Sequence, residues 1–178
     1  MSVNLIYKNT VNTLNSTRSI LSTAASDQIE TRLDKSKSVI SLMGTTARLS
    51  DPAVSVNDKK AILNDKVKQL GLLNMNITDL SGKNLDGTVI SDKEYFQKSI
   101  KGESFISDLD LQQDKNMAVL TLSSPLWENG KENSKIVGVV YAQMNGDFLS
   151  KITNELKVGT TGTAFMLDKQ GYMISNKD

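Results

Sequence analysis

Two apolar runs near the C-terminal end carry the side chains best placed to handle a small molecule. They are MAVLTLSSPLW from Met117 and IVGVVYAQMN from Ile136. In a strand, alternate residues share a face, so Thr121 and Ser123 fall beside Val119, while Leu120, Leu122 and Ser124 fall on the other side. The Thr121 and Ser123 hydroxyls can donate and accept in an otherwise apolar pocket, and Tyr141 and Gln143 complete the set if their face of the next strand points the same way. The alternative is that this polar set lines a solvated sheet face. The chemistry on offer is binding, because the chain contains no His and no Cys. Ser-His-Asp and Cys-His nucleophiles, thiolate or imidazole zinc sites, and His- or Cys-ligated haem are thereby excluded. No carboxylate pair has a spacing that asks for acid and base roles, so no enzyme is expected. Asp108, Asp110 and Asp114 lack the glycine and terminal Glu of a calcium loop and read as turn residues. No metal or cofactor is expected.

The elements that must position these residues are legible in the same rows. Val137, Val139 and Tyr141 alternate with Gly138, Val140 and Ala142 in a run too apolar for a solvated strand, and Phe148 to Leu156 follows as a short amphipathic helix. The segment TAFMLD, the turn KQG and the strand YMIS make a closing hairpin, with GTTG as the turn before it. ENGKENSK is a polar loop that makes the strands from Met117 and Ile136 antiparallel neighbours. Trp127 anchors that loop. Upstream, Leu73, Met75 and Ile77 alternate with Asn74, Asn76 and Thr78 as a first strand, closed by the turn SGKN. Ser91 and Glu94 in SDKEYF have capping-box spacing for a helix from Asp92 to about Ile100. Asn57 or Asp58 can cap an earlier helix through Leu70, which Gly71 stops.

From Val3 to Leu49 apolar residues recur at intervals of three, four or seven, so a long amphipathic helix of ~65 to 70 Å is expected, ending at Asp51-Pro52. It either lies along its own sheet or serves as a stalk. Its stripe is diluted by Ser, Thr and Asn, which predicts only a weak homodimer through Val11, Leu14, Leu21 and Ala25. The fold class is therefore α+β: a long N-terminal helix, residues 1–50, on a mostly antiparallel sheet of five to six strands with short helices, residues 51–178. The 178 residues carry 21 Lys+Arg against 20 Asp+Glu, a balance that offers no basic field for nucleic acid. No run approaches the ~20 apolar residues of a membrane span.

GVVYAQMNGDFLSKI followed by GTTGTAFMLDKQGYMISNKD resembles the C-terminal half of a Cache domain, the PAS-like extracytoplasmic sensor of bacterial chemotaxis receptors, sensor histidine kinases and cyclic-dinucleotide enzymes. SDKEYFQKSIKG and MAVLTLSSPLWENG match the same family in the same order, so the likeness spans roughly residues 70 to 178. It implies a ligand-sensing domain on the extracytoplasmic side of the bacterial membrane, in a chemotaxis receptor first of all. It also implies that the membrane helices lie outside this stretch, with Met1 a cloning start and SNKD a truncation point. A ligand-free structural or dimerisation module of a histidine kinase or diguanylate cyclase is the competing reading.

The amino-acid-binding branch of the family has an Arg, then Trp-Tyr, and later an Asp. By position, Lys93 stands for the Arg, Tyr95 and Phe96 for Trp-Tyr, and Gln143 for the Asp. Lys lacks the planar fork of Arg, and Gln cannot neutralise an ammonium. The expected ligand is a small carboxylate or an uncharged polar molecule in preference to an α-amino acid. The plainer reading makes Lys93 a solvated helix residue, and Tyr95 and Phe96 ordinary packing.

Overall fold

The structure, a computed structural model, describes residues 3–112, 117–156, 164–167, 171 and 173–176. Two compact units make up the chain: Leu33–Gly146, and Met1–Arg32 together with Asp147–Asp178. Helix α1 runs Val3–Gly44, followed by the single turn α2, Ala47–Ser50. The long helix thus stops at Gly44 and not within a turn of Pro52. At Gly44 the helix lies so close to the Pro125 carbonyl that any Cβ would strike it. Helix α3, Val56–Leu70, is capped by Ser55, whose Oγ accepts from the Asp58 N–H at 3.1 Å and donates to Asp58 Oδ2 at 2.8 Å. The cap is therefore Ser55, one turn before Asp58, because its hydroxyl and the Asp58 carboxylate serve each other. Gly71 ends the helix at φ 63° as expected.

The larger unit is built on an antiparallel sheet. Strand β1, Asn74–Thr78, pairs with β5, Ile136–Asn145, and β5 pairs with β4, Met117–Trp127. Two short strands, β2 (Phe105–Ile106) and β3 (Asp110–Gln112), share the far side of β4. Pro125 sits inside β4, where a proline is normally excluded. Its register partner Val139 directs its own N–H to Thr78 Oγ1, away from β4, so position 125 faces the β2 side. There β2 has already ended, at Phe105 opposite Ser123, and no ladder bond is lost.

Register sorts the side chains into two faces. Asn74, Asn76 and Thr78 stand beside Gln143, Tyr141 and Val139, and these beside Thr121, Ser123 and Pro125. The opposite face carries Met75, Ile77, Val140, Ala142, Leu122 and Ser124. A Cβ at Gly44 would meet Ser124 Oγ at 3.0 Å on that side, which makes it the side the end of α1 covers, with Ile40, Met43 and Leu49 buried. α3 packs along β1 through Leu63.

In the other unit, α5 (Asp147–Glu155) buries Phe148, Leu149 and Thr153 and packs against β7. β6 (Phe165–Leu167) and β7 (Met173–Asn176) form a separate two-stranded ladder, with Gly171 at φ 86° in the turn. The Arg32 guanidinium lies 4.5 Å above the Phe148 ring. Of the residues expected to mediate self-association, Ala25 is 6 % exposed and Leu21 half-buried, while Leu14 is 44 % exposed. The Val11 side chain, Asp114 and the GTTG turn lie outside the described residues. No helix among the described residues is long and apolar enough to cross a membrane.

Candidate functional site

The polar face of the sheet is roofed by the segment that follows β1. Asp79 opens it: its Oδ1 accepts from the Ser81 hydroxyl at 2.6 Å and from the N–H groups of Ser81 and Lys83, so its carboxyl is held below the usual range. Gly82, at φ 81°, then reverses the chain and leaves no room beside its Cα, where a Cβ would meet Ser91 N at 2.8 Å. Ser91 is thereby pinned to this turn. The expected capping box does not form: α4 spans Glu94–Ser99 with Lys93 at its N-cap and no side-chain cap.

Helix α4 is seated by Phe96, 5 % exposed, which joins Ile90, Val139 and Tyr141 in one buried cluster with Tyr95 and Ile100 against it. The Tyr95 and Tyr141 rings lie 5.4 Å apart at 36°. Beneath them Ser123 Oγ donates to the Tyr95 carbonyl at 2.9 Å. Ser99 Oγ stands 2.8 Å from both Ser123 Oγ and the Glu103 carbonyl, with one proton to give to either. Replacing Ser123 by Ala removes its bond to the Tyr95 carbonyl, which keeps its place in the helix ladder, and is expected to cost about 0.5 to 1.5 kcal/mol in urea unfolding. A loss under about 0.5 kcal/mol would mean that packing alone seats α4.

Tyr141 is the centre of the site. Its hydroxyl accepts from Asn84 Nδ2 at 2.8 Å, a contact across 57 positions of chain. Burial pushes the Tyr95 phenol up to about 12, with the neighbouring Tyr141 and the Asp92 charge adding to it. Burial raises Tyr141 as well, against the Asn84 bond that lowers it. Both phenols are neutral donors at physiological pH. Thr121 is buried one row along, its N–H donating to Ser107 Oγ at 2.9 Å. Gln143 is half-buried beside it, and its Oε1 accepts from Asn74 Nδ2 at 2.6 Å. Lys93 stands at the exposed rim with Nζ 3.4 Å from Asp92 Oδ2.

Tyr95, Phe96, Ser123 and Tyr141 are thus in one cluster, Thr121 and Gln143 form the adjoining row, and Lys93 is outside both. Asn84 and Asn76 were not singled out from the sequence. Asn84 sits in what reads as a turn, and Asn76 faces Tyr141 only through strand register.

The Cache domain family model matches residues 2–178. No curated protein matches the chain. Among solved structures, the sensory domain of the Campylobacter jejuni chemoreceptor Tlp3 with isoleucine bound is 16 % identical, with a TM-score of 0.71 over 97 % of this chain and 73 % of that one. The ligand-binding domain of the Pseudomonas aeruginosa PAO1 amino acid chemoreceptor PctC, in complex with GABA, is 17 % identical, with a TM-score of 0.74 over 92 % of this chain and 75 % of that one. The sensor domain of the Vibrio cholerae histidine kinase DctB is 16 % identical, with a TM-score of 0.65 over 79 % of this chain and 59 % of that one. These likenesses are of fold.

They overturn the expectation that a carboxylate or uncharged molecule is preferred to an α-amino acid, since Tlp3 is solved with isoleucine and with L-valine. That expectation rested on Gln143 and Lys93. The Gln143 amide oxygen already has Asn74 as its partner and the Lys93 ammonium is at the rim beside Asp92, so these two residue types do not by themselves set the charge of the ligand. With the family match running almost end to end over an α+β sheet roofed by α4, this chain belongs to the Cache domain family.

Proposed function

We propose that this chain is the extracytoplasmic ligand-sensing domain of a bacterial transmembrane signalling receptor of the chemoreceptor kind, binding a small molecule between the polar sheet face and its roof. Residues 51–178 carry the sensor and residues 1–50 the helix that relays the signal towards the membrane. The domain itself does no covalent chemistry. Tyr95, Tyr141 and Thr121 line the pocket, Lys93 and Gln143 flank it, and Phe96 and Ser123 hold the roof on which Tyr95 sits.

One observation carries this reading: the middle of the sheet face and the roof above it are buried yet polar, with Thr121, Ser123 and Tyr141 on the face and Asn84 in the roof each at most 9 % exposed. Hydroxyls and amides are costly to bury, and a face that served stability alone would be apolar like the one under α1. A site that reads a polar molecule needs such groups in place before the molecule arrives. The Cache domains of chemoreceptors and histidine kinases named above bear the same fold.

A thermal-shift screen of the amino acids, GABA, organic acids, amines and purines tests it. A ligand at 100 times Kd adds ~2.7 kcal/mol, which for a chain this size raises Tm by about 5 to 11 °C. If no compound moves Tm, the domain is a ligand-free structural module and the proposal fails.

A further inference from the structure

Among the described residues, one buried side-chain polar atom has no hydrogen-bond partner, and it lies under the roof beside Tyr141: Asn84 Oδ1. The residue is 7 % exposed and its backbone is fixed, the N–H donating to the Thr88 carbonyl at 2.8 Å and the carbonyl accepting from Gly87 N–H at 3.0 Å. The side chain is fixed too, by the bond from Nδ2 to the Tyr141 hydroxyl. An amide oxygen held in place and left unpaired costs stability that a bound donor returns.

The surroundings select the kind of donor. The two tyrosine rings offer π faces at 5.4 Å from each other. Asp86 and Asp92 are the carboxylates whose fields reach the two phenols. The Lys93 ammonium is beside Asp92, while Asp86 accepts from the Thr88 N–H and hydroxyl and lies in the field of Lys60. With each carboxylate already facing a lysine, it is the unpaired amide oxygen and the two ring faces that together favour a positively charged donor.

We propose that Asn84 is a specificity-determining residue of the sensor, its Oδ1 accepting a hydrogen bond from a protonated amine of the ligand. The inference rests on the sensing function proposed above and adds to it the end of the ligand that is read and the residue that reads it.

Calorimetric titration of the 178-residue chain with matched pairs tests it: L-isoleucine against 3-methylpentanoate, L-valine against isovalerate, and GABA against butyrate. At least one amine is expected to bind, with its deaminated partner weaker by about tenfold or more. Asn84→Leu is expected to weaken that amine by about tenfold and to leave the deaminated partner within about threefold. Asn84→Asp, which keeps the shape and adds a negative charge, is expected to bind the amine at least as tightly as the native chain, and it keeps the test open should the leucine variant fail to fold. A deaminated member that binds as well as its amine, or an amine indifferent to both substitutions, overturns the Asn84 assignment while leaving the sensing function standing. Silence from all three pairs also overturns it, and the broader thermal-shift screen then decides the sensing function separately.

Discussion

Truncating Phe96 to alanine is expected to destabilise the larger unit by about 3 to 5 kcal/mol, the range for removing a buried phenylalanine from a packed cluster. Phe96 is the one side chain of α4 that enters the cluster of Ile90, Val139 and Tyr141. α4 has only the turn from Glu94 to Ser99, with no side-chain cap, so it has little helical stability of its own. Its position over the sheet comes from Phe96, Ile100 and the Ser123 bond to the Tyr95 carbonyl. The alanine variant is therefore expected to lose ligand affinity along with stability, because Tyr95 rides on the displaced helix. Urea unfolding measures the first effect and titration of the best screening hit the second. Full ligand affinity at reduced stability would show that the pocket does not depend on α4.

Replacing Gly138 with alanine is expected to cost about 3 kcal/mol, the upper end for forcing an extra methyl into packed structure. The Cβ would run into the Thr78 carbonyl oxygen, with the Thr78 carbonyl carbon at 3.0 Å and the Asp79 Cα at 3.5 Å. All three are backbone atoms, so no side chain can rotate aside. The gain of about 0.4 to 1 kcal/mol that alanine brings by stiffening the unfolded chain is too small to offset this. The strain falls where β1 ends and the roof begins, next to the Thr78 hydroxyl that accepts the Val139 N–H and one residue before the Asp79 turn. Unfolding in urea should show the loss, and a cost below about 1 kcal/mol would mean that the end of β1 yields easily.

Much of the local structure follows from features within a few residues of one another. The alternation in Met117 to Trp127 and Ile136 to Asn145 determines which side chains share a face, because strand geometry has a period of two whatever surrounds it. Gly71 stops α3, and α5 falls on the amphipathic stretch after Gly146, for equally local reasons. Capping was less legible. At α3 the cap is Ser55 and not Asn57 or Asp58, and at α4 Ser91 caps nothing, because the helix begins at Glu94 behind Lys93.

Residue order alone determined the family, the α+β class, the strand pairing of β4 with β5, and that Thr121 shares a face with Ser123 and Tyr141 with Gln143; the register of the two strands put both pairs on one face. Only the tertiary structure showed that α1 stops at Gly44 and why that residue has no side chain, since a Cβ there would strike the Pro125 carbonyl, far along the chain. It also decided that Gln143 answers to Asn74, that the Ser99 hydroxyl meets the Ser123 hydroxyl, and that Asn84 reaches Tyr141. Each of these is a polar contact between distant segments brought together by burial of their apolar neighbours. Periodicity records that a residue points inward, but the partner that satisfies it is chosen by packing.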